Sequence, residues 1–291
     1  VAPGSFEAFV VDESGKRVAR VERTYSLTPG SYLIRVSQKV ENLSGQEIKV
    51  RWFQFGPVGL EQDSASYGGD KRRARIGYLL NAQAQMRDET VSSKDFLWSR
   101  ADSHVMGAME TLVRADGSRV QVYPTVKTVW PNDVSTKYGY RPVWAGLTNR
   151  YFGAAMLPLV APEAGPDQKE MKVASTVDRI LLHRWLVVRG EVKYEPVMIF
   201  RTTSVPMTVA AGAAADLSVG FYAGPLSRPE IVKDAQAAAA GLRGLVVYNF
   251  GGACGFCTFP FLTGALLWLL RFLHGYIVFD WGLAIIVLVL V

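Results

Sequence analysis

Histidine and cysteine are scarce in this 291-residue chain, with three of the first and two of the second. Both cysteines, Cys254 and Cys257, fall beyond residue 250. The long preceding part therefore has no disulfide framework. It must be held by a hydrophobic core, for which a chain of this length has ample material. Cysteine usage alone points to neither an oxidising nor a reducing compartment. Formal charge is nearly absent from the end of the chain, where Arg271 and Asp280 are the only charged residues after Phe250. A nucleophile elbow of the G-x-S-x-G kind is missing, so Asp102, His104 and His183 have no partner for a hydrolytic triad. The Gly68-Gly69-Asp70-Lys71 stretch lacks the G-K-[ST] spacing of a phosphate loop. There is no internal repeat. At Val1 there is neither an initiator Met nor a secretory signal pattern, which reads as a fragment at its start.

What is present is globular in composition, at 49% hydrophobic and 20% charged, with a net charge of +6. A positive excess suits an acidic partner or an anionic membrane surface, but it is modest, and a solvated basic face is its expected cause. The densest basic cluster is Lys71-Arg72-Arg73-Ala74-Arg75. It has no interleaved aromatics, so no nucleic-acid partner is expected, and a solvated loop is its expected setting.

The first part alternates apolar and polar residues with the period of strands. Ile34, Val36 and Val40 share one face of the run 31–41. Ile48, Val50, Trp52 and Gln54 share one face of the run 47–55. A short turn at 42–45 joins the two runs, which predicts a hairpin. Asn42-Leu43-Ser44 in that turn also matches a glycosylation sequon. Asp12–Gly15 and Asp116-Gly117 mark two further hairpin tips. Strands are expected over 120–129, 180–188 and 192–202, with weak alternation over 205–219. The run 144–158 reads as a turn feeding a buried strand, and 161–172 as an exposed loop. The fold class is therefore mainly β, a large antiparallel β-sandwich.

Helical signals begin only after Gly224. Ser227, Pro229, Glu230 and the alanine run to Ala240 predict a short helix ended by Gly241 or Gly244. A second helix is expected over 261–276, with Leu262, Leu266, Leu269, Leu270 and Leu273 on one side. Thr263, Arg271 and His274 lie on the other side. A one-sided polar strip on an apolar helix suits the plane of lipid headgroups. Trp268, Arg271, His274, Tyr276 and Trp281 are then the candidate membrane-interface residues. Asp280-Trp281-Gly282 breaks the helix. The final apolar run, with Leu283, Ile285, Ile286, Leu288 and Leu290, is about half of the roughly 20 residues that cross a bilayer. It is expected to be a truncated transmembrane helix.

Three stretches carry a resemblance to a known family: Gly220-Phe-Tyr-Ala-Gly-Pro225, Leu266–His274, and Asp280-Trp-Gly followed by the apolar run. They resemble the YidC-type membrane protein insertases of bacteria. The runs 32–44 and 144–158 are similar to segments of that family's soluble domain, and Asp280 stands where the family usually has Asn. The resemblance implies a supersandwich-like periplasmic β-sandwich (1–223), a helical linker (224–249), an interfacial amphipathic helix region (250–278) and the start of a transmembrane helix (279–291). It implies a non-enzymatic insertase or chaperone of the inner membrane. Its partners would be nascent membrane proteins, Sec translocon subunits and the lipid bilayer, and it would need neither metal nor cofactor. It places the family's groove arginine just past Val291.

Cys254 and Cys257 form a C-x-x-C. They read as two small residues at a membrane-proximal bend, as a disulfide, or as a redox or half-metal site; one such pair does not complete a zinc centre. A rival reading of the whole chain is a membrane-tethered carbohydrate-binding or epimerase-like sandwich. An epimerase would need a His and a carboxylate converging in a cleft, and fold alone settles neither reading.

Overall fold

The computed structural model describes residues 4–60, 72–79, 94–96, 110–122, 126–161, 163, 166–188, 190–246 and 260–290. The chain forms two compact units, Val1–Val246 and Val247–Val291. In the first unit the strands run in chain order from β1 (Gly4–Val11), β2 (Arg17–Leu27), β3 (Leu33–Asn42), β4 (Ile48–Val50), β5 (Phe53–Val58) and β6 (Arg73–Leu79). There follow β7 (Lys94–Phe96), β8 (Glu110–Val113), β9 (Arg119–Val122), β10 (Val126–Trp130), β11 (Arg141–Thr148) and β12 (Phe152–Pro158). The last are β13 (Thr176–Val188), β14 (Glu191–Thr203), β15 (Met207–Val209), β16 (Ala214–Asp216) and β17 (Val219–Pro225). A capped single-turn helix, α1 (Asp133–Tyr138), lies between β10 and β11.

Nine strands form one sheet in the order β1-β2-β3-β17-β12-β11-β6-β7, with β16 added to β3. Four form a second sheet, β10-β13-β14-β5. Every described pairing is antiparallel. The predicted sandwich is therefore what forms. Its main core packs Val36, Val40, Ile76, Tyr78, Ala145, Leu147 and Met156 of the large sheet against Val129, Trp130, Val177, Leu181, Met198 and Phe200 of the small one.

The outer face of the large sheet is covered by a helical segment. This comprises α2 (Arg228–Val232), α3 (Ala235–Ala239) and the turn Leu242–Leu245. Ile231, Ala237, Leu242 and Leu245 pack there against Leu33, Trp144, Ala155, Leu157 and Tyr222. The helix expected over 227–240 breaks in two, because Asp234 acts as a cap in its middle. Its Oδ1 accepts the backbone N–H groups of Gln236 and Ala237, and its Oδ2 accepts Ser31 Oγ at 2.9 Å. Gly241, at φ +67°, ends α3 as predicted.

Several sequence expectations change in detail. The tips at Asp12–Gly15 and Asp116-Gly117 do join paired strands. The hairpin between 31–41 and 47–55 does not form, because β4 pairs with β15 and β5 with β14. Asn42 draws the turn elsewhere: its fully buried amide donates to Val209 O at 2.9 Å and to Gln46 O. That burial also removes it as a glycosylation acceptor. The second run is interrupted at Trp52, whose N–H donates to Ser204 Oγ at 2.9 Å in place of a ladder bond. The 120–129 run splits into β9 and β10, and the 144–158 run is itself a hairpin, β11–β12. The basic cluster is no loop. Arg72 and Arg75 are each only 4% exposed. Ala74 and Ile76 take the core face of β6, which turns Arg75 to the other face, where Nε donates to Thr148 Oγ1.

The second unit contains α4 (Pro260–Leu273), a wide helical turn His274–Val278 and α5 (Trp281–Leu290). Phe279 adopts a left-handed φ of +50° at the break. Asp280 Oδ1 accepts Leu283 N–H at 2.9 Å and caps α5. The axes of the two helical halves, Ala265–Val278 and Trp281–Leu290, differ by 116°. No single helix among the described residues is long and apolar enough to cross a membrane, although the bent pair together has the length and composition. In place of the expected transmembrane helix the described residues hold one short apolar helix, α5. The ten residues of α5 rise about 15 Å against a hydrocarbon core of about 30 Å.

Candidate ligand groove

The two sheets of the sandwich differ in width. At about 4.8 Å per strand spacing, the eight-strand path of the large sheet spans about 34 Å and the four-stranded sheet about 14 Å. The large sheet therefore overhangs, and β1 contributes no residue to either core cluster. Register places Phe6 beside Arg23 and Ala8 beside Val21 on β2, and then Gln38 and Val40 of β3 beside Arg23 and Val21. These residues share the inner face of the sandwich with Val36. Toward β3 that face is covered, and toward β1 it opens.

An open groove enclosing about 700 Å³ lies on this overhang, lined by Phe6, Glu7, Ala8, Val21, Arg23 and Tyr25. Phe6 and Tyr25 meet edge to face at 5.9 Å between ring centroids. Ala8 and Val21 make an apolar floor. The Glu7 side chain belongs to the other face. Its register partner is Glu22, on the opposite face of the sheet, where Arg20 lies within 3.5 Å of Glu7, 3.2 Å of Glu22 and 2.6 Å of Glu41.

Polar side chains gather at the covered end of the groove. Arg23 lies over the Trp52 ring, 5.6 Å from its centroid. It donates through its terminal nitrogens to Tyr25 Oη at 3.3 Å and to Gln54 Oε1 at 3.5 Å. Trp52 Nε1 and Gln38 Nε2 converge on the same Gln54 oxygen, at 3.3 and 3.4 Å. Gln38 is 1% exposed and its Nε2 also donates to Leu217 O at 2.6 Å. Its Oε1 and the Nε of Arg23 are buried without a hydrogen-bond partner.

Three other clusters among the described residues are engaged in contacts of their own. A cavity of about 220 Å³ lies beside Glu170, Lys172, Asp216 and Ser218. There Glu170 faces Arg141 at 3.4 Å, and Asp216 accepts the hydroxyl and backbone N–H of Ser218. On the outer face of the small sheet Asp178 takes two bonds from Arg201, at 2.7 and 3.1 Å, and one from Thr128. Tyr78 stacks on Tyr140 at 4.8 Å and packs near Trp130, and burial pushes its phenol well above the ordinary range. Tyr222 is shifted in the same direction, first by burial. No group of three His, Cys, Asp or Glu residues able to hold a metal exists among the described residues.

The residues singled out in the sequence lie apart from this groove. Cys254, Cys257 and His104 fall outside the described residues, and His183 occupies a β13 position opposite Pro196. Trp268, Phe272 and Tyr276 form an exposed ladder at i, i+4 spacing, with ring centroids 5.7 and 5.3 Å apart. Arg271 is exposed, and His274 stacks on Trp281 at 3.8 Å. Leu283, Ile285, Ile286 and Leu290 are exposed and Leu288 is half-buried. Sequence reading missed Phe6, Arg23 and Tyr25. The available signal was the alternation Ala19, Val21, Arg23, Tyr25, which sets a cation in an otherwise apolar register.

No family model and no curated protein matches the chain. Solved structures do. A galactose mutarotase-like protein from Lactobacillus casei matches with a TM-score of 0.39 at 11% identity, over 76% of this chain and 69% of that one. A putative aldose 1-epimerase from Klebsiella pneumoniae matches with 0.40 at 9%, over 86% of this chain and 56% of the other. A structural-genomics target from Synechocystis sp. PCC 6803 matches with 0.39 at 9%, over 77% and 62%. The chain thus spans less than two thirds of the length of two of these proteins. At these scores and identities the likeness is between antiparallel β-sandwiches, and it extends to fold alone. The insertase resemblance is corrected here: no family model and no curated protein supports it, and none of the solved structures named above is an insertase, so the insertase, chaperone and protein-transport expectations are withdrawn. The expectation of a non-enzyme rested on that resemblance and is withdrawn with it; two of the matched structures are described as putative aldose 1-epimerases.

Proposed function

We propose that the sandwich is a carbohydrate-binding, epimerase-like module whose ligand lies in the β1–β2 groove. One observation carries this reading: two exposed aromatic rings, Phe6 and Tyr25, stand beside planar polar side chains at the mouth of an open concavity. A sugar ring offers an apolar C–H face that packs on aromatic rings. Its hydroxyls need donors and acceptors held at fixed angles. Arg23 and Gln54 present such groups. Anomer interconversion would further require an acid and a base at the sugar oxygens. Among the described residues the groove holds a guanidinium and a phenol, and its one lining carboxylate, Glu7, faces away. The reading supported by this geometry is therefore of binding. Calorimetric titration of the protein with galactose and glucose tests it, alongside NMR measurement of anomer exchange. Micromolar to millimolar binding that Phe6→Ala weakens is expected; absence of binding to every sugar offered would overturn it.

The helical unit supports a separate proposal, contact with a lipid bilayer. Trp268 and Tyr276 are 67% and 77% exposed on one ladder, beside exposed Arg271. Aromatic rings next to a cation suit the headgroup level. Co-sedimentation with anionic phosphatidylglycerol vesicles is expected, reduced severalfold by joint Trp268→Ala and Tyr276→Ala substitution. Equal recovery of the variant with vesicles would dismiss those residues as the contact.

A further inference from the structure

Among the described residues Arg23 has no acidic neighbour on its own face of the sheet. The nearby carboxylates Glu7, Glu22 and Glu41 lie on the other face and are engaged by Arg20. Around Arg23 stand Phe6, Tyr25, Gln38, Trp52 and Gln54, all neutral. A guanidinium carries five N–H donors, and the two hydrogen bonds described for this one, at 3.3 and 3.5 Å, are long. Its Nε and the Oε1 of its register partner Gln38 each lack a partner in the same cluster. The neighbours thus leave much of the charge and donor capacity of Arg23 unmatched, in a setting less hydrated than open water. The Trp52 ring supports its planar face.

We infer that the groove takes an anionic ligand, and, resting on the carbohydrate reading above, an acidic sugar whose carboxylate, phosphate or sulfate pairs with Arg23. The planar fork of its two terminal nitrogens, whose bonds to Tyr25 and Gln54 are long, matches such oxyanions in bidentate fashion, which a lysine does not reproduce. The sugar ring would lie on Phe6 and Tyr25 while its acid group reaches toward the Gln54 end. A neutral hexose would make the ring contacts and leave the guanidinium unneutralised.

The test is titration calorimetry with glucose, glucuronate and glucose 6-phosphate in parallel, with inorganic phosphate and acetate as anions lacking a ring. Glucuronate or glucose 6-phosphate is expected to bind at least ten-fold tighter than glucose, and the two acids identify which oxyanion is preferred. Arg23→Gln should bring the ratio of acidic to neutral affinity close to one, and Arg23→Lys should restore part of it. Thermal unfolding of each variant checks that the fold is kept, and Arg20→Gln controls for general charge. Equal affinities for acidic and neutral sugars, or a preference that survives Arg23→Gln, would overturn the inference while leaving the carbohydrate reading intact. Binding of phosphate or acetate that depends on Arg23, without binding of any sugar, would sustain the anion site and sink the carbohydrate reading. No binding of any probe overturns both.

Discussion

The large sheet has two regions of one inner face that are built alike and buried differently. In its middle, β6, β11 and β12 are covered on both sides, by the small sheet within and by the helical segment without. At β1 and β2 the same alternation continues, yet Phe6 is 64% exposed and Tyr25 37% exposed. Residue type does not separate these regions; the width of the opposing sheet does. A strand pattern specifies which side chains share a face, and only the partner layer decides whether that face becomes core or binding surface. Stability should therefore reside in the middle and recognition at the overhang.

The sharpest way to break this contrast is Gly77→Ala. A Cβ at Gly77 would lie 2.1 Å from Cε2 and Nε1 of Trp144, whose indole crosses the glycine. Trp144 is fully buried, so it has little room to retreat. A loss of roughly 3 kcal/mol or more is expected, at the upper end of overpacking costs. Chemical denaturation would read it, and a loss below about 1 kcal/mol would show that the middle is loosely packed. Tyr222→Phe is the next step down. The Tyr222 hydroxyl donates to Pro225 O at 2.6 Å, on the covered outer face. Removing it should cost about 1 kcal/mol, the net value of one hydrogen bond. Unchanged denaturation would mean that the carbonyl finds water and that this face is wetter than its packing implies.

The sandwich class and most strands were legible in the sequence, because period-two alternation and Asx-Gly tips are local signals. The Asp12–Gly15 tip and the strands β13 and β14 show this. Pairing was less legible. Nothing within 31–55 reveals that Asn42 bonds Val209 or that Trp52 bonds Ser204, since both partners lie more than 150 residues away. The site was illegible for the same reason. Arg23 becomes distinctive only when Glu22 and Glu41 are seen to face the other way, and when the second sheet is seen to stop short. The tail motifs misled because they are short and apolar, and such segments recur in unrelated chains.

At the overhang the contrast predicts a different outcome. Phe6→Ala and Tyr25→Ala should each shift stability by less than about 0.5 kcal/mol, as exposed sites do. The same substitutions should weaken the favoured sugar on the order of ten-fold, through lost stacking. A large loss of stability with unchanged binding would reverse the assignment of the two regions.

The smallest effect concerns what holds β1 in place without burial. At the β1–β2 tip, Asp12 Oδ1 accepts bonds from the Ser14 hydroxyl at 2.6 Å, the Ser14 N–H at 2.9 Å and the Lys16 N–H at 3.0 Å. These bonds, the Ser14 hydroxyl first, hold the Asp12 carboxyl below its usual 3.8. A carboxylate depressed in the folded state adds stability above its unfolded pKa and loses it as pH falls through the folded value. Asp12→Asn lacks that titration. Wild type should therefore unfold at a slightly higher temperature than the variant near neutrality. The gap should close as the pH drops below about 4, once the wild-type carboxyl is protonated. Melting curves taken from about pH 7 down to about pH 2 would follow it. A gap that stays constant into acid would assign the tip to geometry alone, with Gly15 at φ +82° sufficient to turn the chain. A gap that closes would show that local charge and hydrogen bonding anchor the uncovered end, where the middle of the sheet relies on packing.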